Sequence, residues 1–96
     1  MLDLNSEYVA MVQHILATHI PHKTVWVYGS RIKGSAHDGS DLDLAVIDPI
    51  SEKTLSVLRN AFSDSNLPIL VDVYSWKNIP AAFKIEITRA HEIFEF

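Results

Sequence analysis

Apolar residues early in the chain, Leu4, Tyr8, Val12, Ile15, Leu16 and Ile20, recur at intervals that gather side chains onto one face of an α-helix. Pro21 ends that pattern, because the residue before a proline is pushed out of helical backbone. Thr24 to Tyr28 (TVWVY) is short, β-branched and aromatic, and Gly29 closes it, as a buried strand would read. Ser30 to Ser35 reads as a short helix or turn. Leu42 to Ile47 (LDLAVI) is a second strand, closed by Asp48-Pro49. From Ser51, a plausible N-cap, to Phe62 the residues Leu55, Leu58 and Phe62 share one helical face. A third strand, Ile69 to Tyr74 (ILVDVY), follows Pro68, and Pro80 to Ala90 is again helical with Phe83 and Ile87 on one face. The tail HEIFEF fits either a strand or fraying coil. This order predicts an α/β or α+β fold: a small mixed sheet of three or more strands with helices packed mainly on one side.

Length and charge narrow what such a fold can do. Ninety-six residues make a single domain, residues 1–96, with no room for a second, substrate-selecting one. A hydrophobic share of 48% with 21% charged residues is that of a globular chain. The net charge of -4 is opposite in sign to the footprint of a general nucleic-acid binder. Without cysteine there is neither a disulfide framework nor a thiolate metal site. No signal-peptide pattern opens the chain and no apolar run approaches the roughly 20 residues that cross a membrane, so the expectation is a cytoplasmic protein. The five histidines, His14, His19, His22, His37 and His91, show no metal-ligand spacing.

The chemistry concentrates in YGSRIKGSAHDGSDLDL, from Tyr28 to Leu44, which holds every glycine of the chain and ends in two acids. Alternation along a strand puts Asp41 and Asp43 on one face and Leu42 and Leu44 on the other. Asp72, between Val71 and Val73, repeats the pattern of an acid among apolar residues. If the second and third strands are neighbours, opposed Cβ atoms lie roughly 4.5–5.5 Å apart and three carboxylates meet. Two bare carboxylates about 6 Å apart repel by roughly 3 kcal/mol at an effective dielectric of 20, so a cation belongs among them. Oxygen ligands favour a hard ion such as Mg²⁺, which takes one or two carboxylates together with substrate phosphates. Taken singly, Asp41 or Asp72 reads more simply as a cap or a solvated residue; their conjunction with the Gly-Ser turn carries the metal reading.

That turn follows a strand and opens a helix, the setting in which free N–H groups and the helix dipole meet phosphate. Gly29 lets a ligand approach closely, the Ser30 hydroxyl adds a donor, and Arg31 or Lys33 can neutralise outer phosphate charge, although Lys33 reads more simply as a surface residue. GSRIKGS has the spacing of a P-loop but lacks its lysine, because Ser35 directly follows Gly34. Gly34 and Gly39 equally suit ordinary turns or helix caps.

GSRIKGSAHDGSDLDL resembles the signature of the DNA polymerase β-like nucleotidyltransferase superfamily, and most closely that of its minimal members. Gly29, Ser30, Arg31, Gly34, Ser40, Asp41, Asp43 and Leu44 meet their pattern, and Asp72 stands where such proteins carry a third carboxylate. The resemblance implies the nucleotidyltransferase fold and transfer of a nucleoside monophosphate, AMP from ATP, to a hydroxyl with the help of two Mg²⁺ ions. It implies that Asp41, Asp43 and Asp72 are catalytic and hold the metals, with Asp72 also helping to deprotonate the acceptor. Gly29, Ser30, Arg31 and Ser40 would bind the nucleotide. Many minimal members are antitoxins paired with a small helical HEPN-domain toxin, which some adenylylate on a tyrosine, so a hetero-oligomer with such a partner is expected. The alternatives are an antitoxin that masks its partner without catalysis and, less well matched to so short a chain, a small-molecule nucleotidyltransferase. Trp76, Phe83, Phe94 and Phe96 are candidate interface aromatics, with core packing the plainer reading for Phe83. His37, within the motif loop, is a candidate substrate contact.

Overall fold

A computed structural model describes residues 2–96. The first helix, α1 (Ser6–His19), starts where the Asn5 side chain accepts from the Glu7 N–H at 2.8 Å. Strand β1 (Val25–Tyr28) runs through Gly29 into a four-residue helix, α2 (Ser30–Lys33). Strand β2 (Leu42–Val46) is followed by α3 (Glu52–Ser63), with Ser51 capping the Thr54 N–H at 3.0 Å, as its sequence suggests. Then come β3 (Val71–Ser75), a 3₁₀ turn (Trp76–Asn78), α4 (Ala81–Arg89) and a two-residue strand, β4 (Glu92–Ile93). The ambiguous tail is therefore partly strand, with Glu92 opposite Val27 and Ile93 opposite Trp26.

The sheet order is β3-β2-β1-β4. β1 is antiparallel to both β2 and β4, whereas β2 and β3 are parallel, joined through α3 as the crossover that a parallel pair requires. Alternation then sorts each strand. Val25, Val27, Leu42, Leu44, Val46 and Val73 turn to one face, where Val12 and Leu16 of α1 and Leu55, Leu58 and Phe62 of α3 complete the main core. Trp26, Tyr28 and Ala45 turn to the other face, where Ile87 of α4 and Ile79 after the 3₁₀ turn form a smaller cluster. The two long helices thus share one side. The opposite side is only partly covered, and Asp43, Asp72 and Tyr74 emerge on its open portion.

Candidate active site

The register across the sheet brings the acids together. Asp43 in β2 stands directly opposite Asp72 in β3 and, on its other flank, opposite Tyr28 in β1. Adjacent strands run about 4.8 Å apart, so the two carboxylates leave one face of the sheet side by side. Asp41 lies one residue before β2 begins, in the exposed approach to the strand rather than within it.

Their mutual repulsion is written into the electrostatics. Burial first, then the charges of Asp72 and Asp41, push the Asp43 carboxyl up from 3.8 to about 6. Burial also holds the Tyr28 phenol above its ordinary range, with smaller contributions from Asp43, Tyr74 and Asp72, so it stays protonated at neutral pH. Among the described residues no Lys or Arg forms an ion pair with any of the three acids. Oxygen donors that repel one another, with no Lys or Arg paired to them among the described residues, fit a hard divalent ion. No three His, Cys, Asp or Glu side chains among the described residues form a ready cage. This combination suits Mg²⁺, which commonly completes its shell with water and phosphate oxygens.

Gly29 sits against this cluster for a steric reason. Its φ of 84° lies in the left-handed region, and a Cβ there would run into the Asp43 carboxylate. Only glycine lets β1 turn into α2 while the carboxylate occupies the space beside it. Ser30 is the first residue of α2, whose leading N–H groups have no carbonyl partner within the helix. Gly34 ends the same helix in left-handed backbone, with φ 78°.

Arg31 and Ser40, expected at the nucleotide, are both engaged with the loop between α2 and β2. The buried Arg31 guanidinium donates to the Ser40 carbonyl from Nε at 3.3 Å and from Nη2 at 2.8 Å. It also reaches the Asp38 carbonyl at 3.3 Å and the Asp3 carbonyl at 3.1 Å. The Ser40 hydroxyl accepts from the His37 N–H at 2.9 Å, and the Gly39 N–H donates to His37 Nδ1 at 3.1 Å. These bonds hold the segment that leads into Asp41.

A cavity of about 360 Å³ opens beside Asp43 between the sheet and α4. It is lined by Tyr28, Gly29, Tyr74, Phe83, Ile87 and Ala90, with Lys33 and Glu86 also on its wall. Motif reading missed Tyr28 and Tyr74; strand alternation from Asp72 places Tyr74 on the acid face, whereas Tyr28 joins that face only through the register of β1 on β2. Of the candidate interface aromatics, Phe94 is core at 3% exposure and Trp76 is half-buried, its ring 5.4 Å from Trp26. Phe83 and Phe96 are exposed.

The site thus consists of paired carboxylates on a mixed sheet beside a Gly-Ser turn that opens a helix. Residues 11–95 match the family model "Polymerase beta, Nucleotidyltransferase", and the chain belongs to that family. It is 40% identical over 96 residues to the probable protein adenylyltransferase MntA of Haemophilus influenzae, covering 98% of this chain and 84% of that protein. Two solved structures share the fold. A toxin-antitoxin crystal structure with AMP-PNP has a TM-score of 0.72 at 20% identity, over 95% of this chain and 73% of that one. A mutant of the toxin-antitoxin MntA-HpeT has a TM-score of 0.73 at 19% identity, over 96% and 73%.

Proposed function

We propose that this chain is a protein adenylyltransferase that moves AMP from ATP to a tyrosine hydroxyl of a small helical HEPN-type toxin, and thereby acts as its antitoxin in the cytoplasm. The observation that carries this reading is Asp43 facing Asp72 across a parallel strand pair, with Gly29 left bare beside Asp43. Similarity to an adenylyltransferase and to toxin-antitoxin complexes, one crystallised with AMP-PNP, supports both the nucleotide and the class of partner. No helix among the described residues is long and apolar enough to cross a membrane.

In this reaction the acceptor hydroxyl oxygen attacks the α-phosphorus, the bond from that phosphorus to the oxygen bridging to the β-phosphate breaks, and pyrophosphate leaves. Asp41, Asp43 and Asp72 would hold two Mg²⁺ ions, which when bound neutralise charge on the attacking and leaving oxygens. Asp72, on the edge strand, receives the hydroxyl proton from an acceptor approaching its side of the sheet. Gly29 and the start of α2 hold the triphosphate through backbone N–H groups and the Ser30 hydroxyl. Arg31 and Ser40 serve this site by fixing the loop that ends at Asp41. With few groups beyond the acids in place, positioning and charge neutralisation carry the rate.

Purified protein, its co-encoded partner, Mg²⁺ and α-labelled ATP should give a labelled partner, with the label on tyrosine. Equal labelling by Asp43→Ala would sink the catalytic assignment. A tight complex that suppresses partner activity with no labelling by wild type would establish masking instead.

A further inference from the structure

Tyr74 follows Asp72 by two residues on β3, so alternation sets both side chains on the acid face, with Cα atoms about 7 Å apart. Its ring lines the same cavity as Asp43. Arg59 of α3, a helix on the opposite face, reaches the sheet edge and holds that ring. The guanidinium donates to the Val73 carbonyl from Nε at 2.9 Å and from Nη2 at 2.6 Å, and its carbon lies 5.8 Å from the Tyr74 ring centroid. Yet Tyr74 stays 42% exposed, and its hydroxyl makes no hydrogen bond among the described residues. A phenol anchored at its ring and free at its oxygen is thus fixed beside the acids, where proximity favours reaction.

We propose that Tyr74 is a second acceptor, and that without its partner the chain adenylylates its own Tyr74 hydroxyl in cis. The inference rests on the protein adenylyltransferase reading of the acids and extends the acceptor from a partner's tyrosine to one of the chain's own. Position chooses Tyr74 among the three tyrosines. In-line displacement needs the attacking and leaving oxygens on opposite sides of the phosphorus. The sheet order puts Asp43 of β2 between Tyr74 of β3 on one flank and Gly29, the turn assigned to the triphosphate after β1, on the other. Tyr28 stands on the Gly29 flank and is only 6% exposed, and Tyr8 belongs to α1, which packs on the other face of the sheet. In the step, the Tyr74 oxygen bonds to the α-phosphorus and the bond from that phosphorus to the oxygen bridging to the β-phosphate breaks. Pyrophosphate leaves with that electron pair, and the hydroxyl proton passes to Asp72.

The full chain, without partner, is incubated with ATP and Mg²⁺, digested, and mapped by mass spectrometry. One AMP should be found on the peptide that contains Tyr74, at a rate per molecule independent of protein concentration. Asp43→Ala should carry none, nor should Tyr74→Phe, whose folding is checked by its melting temperature. AMP on another residue of the wild type, or undiminished modification of Tyr74→Phe, would overturn the assignment, and a rate that rises with protein concentration would refute attack in cis. An unmodified chain that still labels its partner would overturn the inference while leaving the transferase reading intact. Failure to modify either protein would remove both.

Discussion

Replacing Asp43 by asparagine should make the metal-free protein more stable at pH 8, although it removes a residue placed at the centre of the active site. The side chain keeps its shape and loses a charge that its surroundings oppose. Burial and the neighbouring Asp72 and Asp41 raise its carboxyl from 3.8 to about 6. An acid whose folded-state value lies above its unfolded one favours the folded state only when protonated. Its ionisation therefore destabilises the fold fully above about pH 6, and that penalty fades as the pH falls towards the unfolded value of 3.8. Two units at about 1.4 kcal/mol each would be about 3 kcal/mol for a fully enclosed group. Asp43 is half-exposed, and solvent screening brings the effect nearer to about 1 kcal/mol. In a domain of this size that is about 5 °C in Tm. Thermal melts of wild type and Asp43→Asn in EDTA from pH 4 to pH 8 should show the variant gaining its advantage through pH 6 and losing it near pH 4. Added Mg²⁺ should then raise the wild-type Tm and leave the variant nearly unmoved. A variant that melts with or below the wild type at pH 8 would refute the claim that the three carboxylates repel one another in the absence of metal.

Gly29→Ala should cost at least tenfold in kcat, because the methyl group displaces the Asp43 carboxylate, and about 1–2 kcal/mol of stability from left-handed backbone; steady-state rates and melts check both. Arg31→Met should lower stability by about 1–3 kcal/mol by leaving buried carbonyls without donors, and should reduce kcat with little change in the KM for ATP. A tenfold rise in that KM with stability intact would instead make Arg31 a phosphate ligand. Leu58→Ala, at a fully buried position between α3 and the sheet, should cost about 2–5 kcal/mol in urea unfolding while leaving the KM for ATP unaltered.

Three of the four strands are legible in the sequence because each is a short, mainly apolar run with glycine or proline at one end, and α1 declares itself through period and α3 through period and cap. Asp43 and Asp72 are legible as candidates, but their opposition depends on β2 and β3 being parallel neighbours, which pairing across the whole sheet decides. The two-residue β4 carries no local signal, since its register comes from the β1 edge it joins. Arg31 shows the harder limit. A guanidinium in a glycine-rich loop suits phosphate and backbone carbonyls alike, and its bonds to the carbonyls of residues 3, 38 and 40 depend on distant segments closing around it. Phe83 and Ile87 share a helical face by spacing, but only the placement of α4 over part of the sheet buries Ile87 and leaves Phe83 exposed.

The central claim is nucleotidyl transfer by the acids gathered on one face of the sheet. Parallel reactions with α-labelled and γ-labelled ATP, Mg²⁺ and the partner protein test it most directly. The account predicts α-label bound covalently to the partner, γ-label released as pyrophosphate, and loss of both products in Asp43→Ala and Asp72→Ala. γ-Label on the partner, or undiminished α-labelling in both variants, would contradict it.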